Sequence, residues 1–226
     1  QAAINDTRFL DRTEMLRANY ESSRALFEHI VKGGCRRIVY ASSTAVYGTL
    51  KPPYHEEGPF DLNTPYAESK KLLDDFAMTF AREHPDVTVV GLRYCNVYGS
   101  RENHKGKRAT MIYQFAQQML HGNPRLFKWG EQKRDYIYVK DVVRANLLAA
   151  KAQESSVVNC GSGSATSFNE IVAILNETLD LHRTPEFFDN PFGTAYQEHT
   201  LCDMSLARKK IGFVPDYDIR RGIHDY

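Results

Sequence analysis

Two apolar segments with the length of buried strands constrain the fold of this chain most. Residues 87–94 are almost continuously apolar, as strands are when a parallel sheet is covered on both faces. The shorter segment 37–42 has the same character. It follows a long helical pattern from Thr13 to Lys32, which Gly33 and Gly34 end. Helices that alternate with apolar strands predict an α/β fold with a parallel sheet.

Polar residues stand where both predicted strands end. Ser42, Ser43 and Thr44 follow the first strand, and the polar, basic segment 96–107 follows the second. In open α/β sheets, ligands bind outside the carboxyl ends of the strands. The sequence therefore predicts a binding site at this edge of the sheet, although serine and threonine also serve simply as turn and cap residues.

The segment between these strands carries a tyrosine and a lysine one helical turn apart. Thr64 suits an N-cap and Pro65 the first helical position, so Tyr66 and Lys70 are predicted to project from the same helix face. This pair suits proton transfer at a carbinol carbon. A tyrosine pKa is about 10, and lowering it by about 3 takes about 4 kcal/mol of preferential phenolate stabilisation, which a neighbouring cation can supply. By itself, the pair is equally well explained as a solvated pair on an amphipathic helix.

Composition excludes several other classes of protein. The 29 basic and 28 acidic residues give a net charge of +1 with no long run of one sign, which argues against nucleic-acid binding. No apolar run approaches the length of a membrane span, and we expect a cytoplasmic protein. The four cysteines are scattered singly and predict free thiols. The eight histidines lack metal-binding spacings, so we expect no metal.

The second half of the chain is predicted to add further helices and a smaller lobe. Asp141 is predicted to cap a helix from Val142 to Lys151, and Ser167 is predicted to start another that reaches about Leu179. From Pro185 onward, short strands and a small helix near residues 205–211 are expected. The pattern is typical of a C-terminal lobe placed on an α/β domain.

Four features in this order carry a family resemblance. They are Ser43 at a strand end, the Tyr66-x-x-x-Lys70 helix, residues 93–99 (Arg-Tyr-Cys-Asn-Val-Tyr-Gly), and residues 134–142 downstream. Together they resemble the extended short-chain dehydrogenase/reductase family that acts on nucleotide sugars. The resemblance covers nearly the whole chain.

The resemblance implies a Rossmann-type, doubly wound parallel sheet with a smaller C-terminal substrate-binding lobe. Residues 1–105, together with part of 126–164, would form the cofactor-binding domain, and 106–226 would form mainly the lobe. The family's first unit, with its glycine-rich pyrophosphate turn, is not recognisable in the sequence. We therefore expect the N-terminal part of the sheet to be missing from this chain.

Within the family, residues 102–107 and Arg134 are most similar to members that invert C6″ of ADP-D-glycero-D-manno-heptose, a precursor of bacterial lipopolysaccharide. The similarity implies transient oxidation by bound NADP, with NAD also possible, and return of the hydride to the other face. Tyr66 and Lys105 would be the two acid/base groups, and Ser43 would bind the reacting oxygen. Lys70 would hold the nicotinamide ribose and acidify Tyr66. The implied cofactor contacts are Lys70, Val97 and Lys105, and the implied substrate contacts are Asn96, Lys107, Gln114, Phe127, Arg134 and Tyr196.

Two alternatives remain open at this point. A UDP-hexose 4-epimerase of the same family carries the same serine, tyrosine and lysine but needs no second acid/base, so Lys105 separates the two. A catalytically inactive sugar-nucleotide-binding protein is the other alternative, and nicotinamide dinucleotide binding would separate it. The resemblance also implies a homo-oligomer, with the helices at 13–32 and 64–84 available for a dimer interface.

Overall fold

The computed structural model describes residues 3–7, 9–191 and 196–226, apart from the side chain of Lys107. Its helices are α1 (Arg12–Leu16), α2 (Ser22–Lys32), α3 (Pro65–Glu83), α4 (Met111–His121), α5 (Val139–Ala149), α6 (Phe168–Leu179), α7 (Ser205–Ile211) and α8 (Ile219–Asp225). Its strands are β1 (Arg37–Ser43), β2 (Thr88–Tyr94), β3 (Val97–Tyr98), β4 (Arg125–Phe127), β5 (Lys133–Asp135), β6 (Ile137–Tyr138), β7 (Ser156–Cys160), β8 (Ala165–Ser167) and β9 (Glu186–Phe188). None of the described helices has the length and hydropathy that a bilayer-spanning segment requires.

The main sheet is parallel and has the strand order β1–β2–β7 in the described part of the chain. Ser43 pairs with Tyr94, and Tyr94 with Cys160, so the three carboxyl ends meet at one edge. Side chains of α2 and α3, including Phe27 and Phe80, pack on one face of the sheet. The other face is covered by apolar residues of α5 and α7 and by neighbouring residues. The predicted α/β fold with a doubly wound parallel sheet is confirmed.

A second apolar core lies in the C-terminal part of the chain. It joins α4, α6 and α8 through residues that include Phe115, Ile171 and Ile223. The strands here form two-stranded pairs, β3–β6, β4–β9 and β5–β8. Such short pairs connect the helices of the smaller lobe. The domain limits expected from the sequence, 1–105 with part of 126–164 and then 106–226, stay a prediction.

The long helix expected between Thr13 and Lys32 is interrupted by one wider turn. Residues 17–21 form a π-helical turn between α1 and α2, and the backbone N–H of Ser22 donates to the carbonyl of Arg17. Asn19, in the middle of this turn, is buried. Its side chain exchanges hydrogen bonds with the backbone of Ile4, at 2.8 and 2.9 Å. The turn therefore ties the segment before α1 to the helix.

The predicted role of Asp141 as a helix cap is wrong. Helix α5 begins earlier, at Val139, and Tyr138 occupies the cap position. Asp141 lies in the first turn, and its carboxylate accepts hydrogen bonds from the backbone N–H groups of Asp216 and Tyr217, at 2.9 and 3.0 Å. The Asp141 carboxylate therefore binds backbone N–H groups of a distant segment, whereas the sequence had predicted that it would bind those at the start of α5.

Candidate active site

A cavity of about 1010 Å³ opens at the carboxyl ends of β1 and β2. Most of the residues proposed from the sequence line it: Ser43, Tyr66, Lys70, Asn96, Val97, Lys105, Arg134 and Tyr196. Further lining residues had not been singled out, among them Arg108, Thr110, Tyr136, Phe168 and Gln197. The folded chain therefore gathers residues from several elements into one site at the predicted edge of the sheet.

Local capping places Ser43 and Tyr66 against each other. The hydroxyl of Thr64 accepts from the N–H of Ala67 at 3.1 Å, which fixes the start of α3 at Pro65, one residue before Tyr66. Ser43 caps a short 3₁₀ helix, Thr44–Tyr47, by accepting from the N–H of Ala45 at 3.1 Å. Burial raises the pKa of Tyr66, and the Ser43 hydrogen bond partly opposes that rise.

Lys70 is a buried cation directly below this pair. Its ammonium donates to the carbonyl of Ala41 at 2.9 Å and lies 5.7 Å from the centre of the Tyr66 ring. Burial lowers the pKa of Lys70, and the charge of Asp74 opposes that change. An ammonium has three donors, and Ala41 accepts one of them. The donor set fits the hydroxyl groups of a nicotinamide ribose, so these residues fit the cofactor that the resemblance implies.

Lys105 reaches the cavity from the loop after β3. It lies in a short 3₁₀ segment, Asn103–Arg108, and the following Gly106 has a φ of 54°, which glycine adopts without steric cost. The ammonium of Lys105 is 3.9 Å from a carboxylate oxygen of Glu102. The side chain of Lys107, also proposed for the substrate, lies outside the part of the structure that is described. The structural description of the two loop lysines is therefore limited to the side chain of Lys105.

Arg134 is buried and lies close to two aromatic rings. Its guanidinium carbon lies 5.1 Å from the centre of Tyr196 and 5.8 Å from that of Phe168. One of its nitrogens donates to the carbonyl of Lys133 at 2.9 Å. Burial raises the pKa of Tyr196, and the charge of Arg134 opposes this. A guanidinium held this way offers a planar set of donors to an anion in the cavity.

Three further predicted substrate residues differ in their placement. The side-chain amide of Asn96 donates to the carbonyl of Asp135 at 2.9 Å and to the hydroxyl of Thr200 at 3.2 Å. Phe127 does not line the cavity directly, and its ring packs 5.3 Å from Tyr196. Gln114 does not line it either and donates to the carbonyl of Ala109 at 2.7 Å. Phe127 and Gln114 thus support lining residues from behind.

The four cysteines are free thiols, and one cluster in the described residues has the composition of a metal site. The ligand atoms of Cys95, Asp135 and Cys202 lie within 4.8 Å of one another. Both oxygens of Asp135 already accept hydrogen bonds, from Ser162, Gly163 and the N–H of Cys202. Hydrogen bonding to Cys95, together with burial, raises the pKa of Cys202. The cluster therefore ties the end of β5 to neighbouring turns, and the absence of a metal stays a prediction.

Known proteins show the same combination of fold and sequence. The sequence profile of the NAD dependent epimerase/dehydratase family matches residues 2–161. An ADP-L-glycero-D-manno-heptose-6-epimerase of Alkalilimnicola ehrlichii is 36% identical over 240 residues, which cover 99% of this chain and 72% of that protein. The crystal structure of the Helicobacter pylori enzyme of the same name superposes with a TM-score of 0.91 at 37% identity, over 100% of this chain and 69% of that one. The UDP-glucose 4-epimerase of Thermotoga maritima, crystallised with UDP-glucose, has a TM-score of 0.88 at 29% identity, over 100% of this chain and 74% of that one.

A parallel sheet wound on both faces, with serine, tyrosine and lysine gathered at its carboxyl edge, defines an enzyme of the NAD(P)-dependent epimerase class. The extent of the matches makes the assignment specific. The chain belongs to the NAD dependent epimerase/dehydratase family. The resemblance stated from the sequence is thereby confirmed, and the roles of individual site residues remain predictions.

Proposed function

We propose that this protein inverts C6″ of ADP-D-glycero-D-manno-heptose, giving the L-glycero epimer, with NADP as cofactor. The observation that carries the proposal is the position of Lys105, which lines the same cavity as Ser43, Tyr66 and Lys70. Inversion of a side-chain carbinol presents its oxygen in two orientations and needs a proton-transfer group for each. The names of the relatives from Alkalilimnicola ehrlichii and Helicobacter pylori support the same substrate.

Each site residue has a defined task in this proposal. The bound nicotinamide supplies hydride acceptance from C6″ and return to the opposite face. Tyr66 exchanges a proton with the oxygen in one orientation, and Lys105 does so in the other. Ser43 hydrogen-bonds the oxygen beside Tyr66. Lys70 holds the nicotinamide ribose, and its charge favours the Tyr66 phenolate once the cofactor is bound.

The substrate contacts follow from charge and shape. Arg134 is proposed to bind the diphosphate as a bidentate donor, since it lines the cavity and its guanidinium lies close to the rings of Tyr196 and Phe168. Tyr196, backed by Phe127, offers a flat surface to the base or sugar. Asn96 and Lys107 are proposed to bind the sugar hydroxyls and phosphates, and Gln114 to hold the backbone near Ala109 in place. Val97 and Lys105 are proposed to complete the cofactor contacts.

The proposal also covers the setting in which the enzyme works. NADP is the proposed cofactor, with NAD as the alternative, and a cytoplasmic location is proposed, with which the free thiols agree. We further propose a homo-oligomer that pairs the long helices within 12–32 and 65–83. Gel filtration with light scattering tests this last point, and a monomer at working concentration would contradict it.

An NMR time course tests the proposed reaction. The protein with its cofactor is offered ADP-D-glycero-D-manno-heptose in one tube and UDP-glucose in another, and Lys105→Met is run beside the wild type. We expect inversion at C6″ in the first tube alone, and a fall in kcat of at least about 100-fold for Lys105→Met. Conversion of UDP-glucose to UDP-galactose, with full activity of Lys105→Met, would contradict the proposal.

A UDP-hexose 4-epimerase is the second candidate, favoured by one specific observation. Ser43, Tyr66 and Lys70 are sufficient for a reaction in which the whole ketosugar turns over and a single tyrosine serves both faces. The similarity to the Thermotoga maritima enzyme supports this alternative. The two reactions differ in their need for Lys105, so the same Lys105→Met variant separates them.

A further inference from the structure

The loop that carries Lys105 is folded around a buried carboxylate with no place in the reaction described so far. We propose that Glu102 is the positioning residue of Lys105: its buried carboxylate holds the Lys105 ammonium at the cavity wall, where the ammonium serves as the proton donor. This inference deepens the proposed function and rests on it for the catalytic role. Glu102 does not line the cavity itself, so it acts through Lys105.

Glu102 is 2% exposed and sits among hydrogen-bond donors. One carboxylate oxygen accepts from the hydroxyl groups of Thr110 and Tyr226, at 2.9 and 3.0 Å, and faces the N–H of Gly99 at 3.4 Å. The other accepts from the N–H of Thr110 at 2.8 Å and lies 3.9 Å from the Lys105 ammonium. Thr110 therefore holds both oxygens, Tyr226 binds one of them, and the other faces the lysine.

The donors around Glu102 are neutral, apart from Lys105. In the part of the chain that the structure describes, Lys105 is the ion-pair partner of Glu102. A buried carboxylate is costly unless it is both hydrogen-bonded and paired with a cation. The lysine is therefore held by the buried charge as well as by its own backbone, and its side chain remains about one-third exposed toward the cavity.

The backbone makes this pairing geometrically direct. Glu102 caps the 3₁₀ segment in which Lys105 lies, and residues three apart in a 3₁₀ helix are eclipsed. Tyr226, beyond α8, ties the same carboxylate to the smaller lobe. Burial and the negative charge of Glu102 raise the pKa of Tyr226, so its hydroxyl remains a donor. The position of Lys105 is thereby coupled to the C-terminal part of the chain.

The charge of Glu102 has a consequence for the order of proton transfers. The Lys105 side chain is the cation of the ion pair with Glu102. Lys105 then begins the cycle as the donor and Tyr66 as the acceptor. After one inversion the proton has moved from Lys105 to the oxygen, and the substrate hydroxyl proton has moved to Tyr66. Both groups must re-equilibrate with solvent before the next turnover in the same direction.

Chemical labelling tests the positioning without any substrate. The protein with cofactor is treated with an amine-reactive ester at about pH 8, and labelling of Lys105 relative to the exposed Lys32 is followed by peptide mass spectrometry. Glu102→Gln is compared with Tyr226→Phe, which removes one brace from the carboxylate but leaves its charge beside Lys105. We expect labelling of Lys105 to rise about fivefold or more in Glu102→Gln and less than about twofold in Tyr226→Phe.

Kinetics on the heptose test the catalytic role. We expect kcat of Glu102→Gln to fall by about tenfold or more while KM changes less than about threefold. Tyr226→Phe should keep most of the wild-type kcat, and Glu102→Asp should lie between the wild type and Glu102→Gln, because it keeps the charge but holds it farther from Lys105. If Glu102→Gln does not fold, Glu102→Asp takes its place in the labelling experiment. The shorter side chain of Glu102→Asp holds the carboxylate farther from Lys105, so labelling of Lys105 should be higher in this variant than in Tyr226→Phe. Labelling of Lys105 at or below the level in Tyr226→Phe would overturn the inference.

The outcomes separate this inference from the proposed function. Equal labelling of Lys105 in Glu102→Gln and Tyr226→Phe would overturn the inference even if heptose inversion is established, because Glu102 would then only brace the loop. The enzyme could instead interconvert UDP-hexoses while the labelling of Lys105 still rises in Glu102→Gln. This result would support the ion pair between Glu102 and Lys105. It would overturn both the role of Lys105 in proton transfer and the proposed function. If kcat of Glu102→Asp fell as far as kcat of Glu102→Gln, the negative charge at position 102 would not account for the loss, and the inference would be overturned.

Discussion

At the scale of single residues, the main question is how Tyr66 becomes a base. In the protein without cofactor, burial holds the pKa of Tyr66 above its ordinary value, and the Ser43 hydrogen bond lowers it. Ser43 therefore has two effects, since it positions the phenol and also stabilises its ionised form. The positive charges of Lys70 and of an oxidised nicotinamide ring are the further contributions that we expect in the loaded enzyme.

Replacing Ser43 should shift the pH dependence of the reaction. Ser43→Ala removes a hydrogen bond that lowers the pKa of Tyr66, so that pKa rises. The base form is the phenolate, and activity increases as pH rises through this pKa. The rising limb of kcat against pH should therefore move to higher pH, and kcat at neutral pH should fall by about 10- to 100-fold.

Ser43→Thr is the matched control, since it keeps the hydroxyl that accepts from Ala45 and bonds Tyr66. Its rising limb should stay near that of the wild type. A limb that moves equally in both variants would mean that the side-chain volume at position 43 matters more than its hydrogen bond.

Residue types at strand ends predicted much of this site. Ser43, Tyr66, Lys70 and Lys105 were named from the sequence, and all four line one cavity. Phe127 and Gln114 were named too, yet they lie behind the wall, because pattern alone does not show which face of a short strand or helix meets a cavity. The buried partner Glu102 was missed as well, since its role depends on Thr110 and Tyr226, which come close only in the folded chain.

At the scale of elements, helix boundaries were predictable where the capping is local. Thr64 and Pro65 placed the start of α3 correctly, and Ser167 placed the start of α6, where a capping box with Glu170 is present. Asp141 failed because its carboxylate serves Asp216 and Tyr217. A cap is thus predictable when its partners lie within one turn, and it is not when the side chain has a partner far along the chain.

The Thr64 cap should contribute measurably to stability. Thr64→Ala leaves the N–H of Ala67 without its side-chain acceptor, and we expect the free energy of unfolding to fall by about 1 kcal/mol. Urea denaturation followed by circular dichroism measures the change. Because Tyr66 lies in the first turn of α3, activity should fall together with stability.

Thr79→Ala provides the control on the same helix. Thr79 is exposed near the C-terminal end of α3, where its hydroxyl accepts a surface hydrogen bond from Arg82 at 2.9 Å and where alanine is the better helix former. This variant should be as stable as the wild type or slightly more so. If both variants lost the same stability, threonine-to-alanine exchange in general, and not the loss of the cap, would account for the Thr64 result.

At the scale of the whole molecule, a buried polar network joins the sheet to α3 and to the loop after β1. Arg93, within the apolar strand β2, donates to Asp74 and to the hydroxyl of Tyr47, both at 2.9 Å. Tyr40 of β1 donates to the other oxygen of Asp74 at 2.9 Å. Asp74 lies on α3 one helical turn beyond Lys70. The same helix therefore carries both the site lysine and the carboxylate that joins α3 to the sheet.

Breaking this network should be far more costly than breaking a surface pair. Asp74→Ala leaves the Arg93 guanidinium buried without its carboxylate, and we expect a loss of about 3–5 kcal/mol in the free energy of unfolding. The neighbouring Asp75 pairs with Lys71 at 2.6 Å on the exposed side of α3. Asp75→Ala should cost less than about 1 kcal/mol. Equal losses in urea denaturation would show that the buried pair contributes no more than the exposed one.

The sequence predicted the sheet and the helices that cover it better than it predicted the polar contacts between distant elements. Continuous apolar strands and amphipathic helices indicated the parallel sheet and its two covered faces, because burial on both faces requires that pattern. An arginine inside an apolar strand gave no indication of its partners, and α8 was not predicted, since its packing depends on side chains such as Tyr98 and Tyr138. Long-range polar contacts were therefore the part that only the structure revealed.

The wider turn at residues 17–21 has a consequence for comparing this chain with its homologues. A hydrogen bond from Ser22 to Arg17 encloses one more residue than an ordinary helical turn does. A homologue whose helix is uninterrupted should therefore have one residue fewer here, which appears as a single-residue gap in its aligned sequence. Beyond the gap, its side chains should lie on the same helix faces as those of this chain. Alignments that force the gap elsewhere would displace Asn19 from its buried position and assign its role to a neighbour.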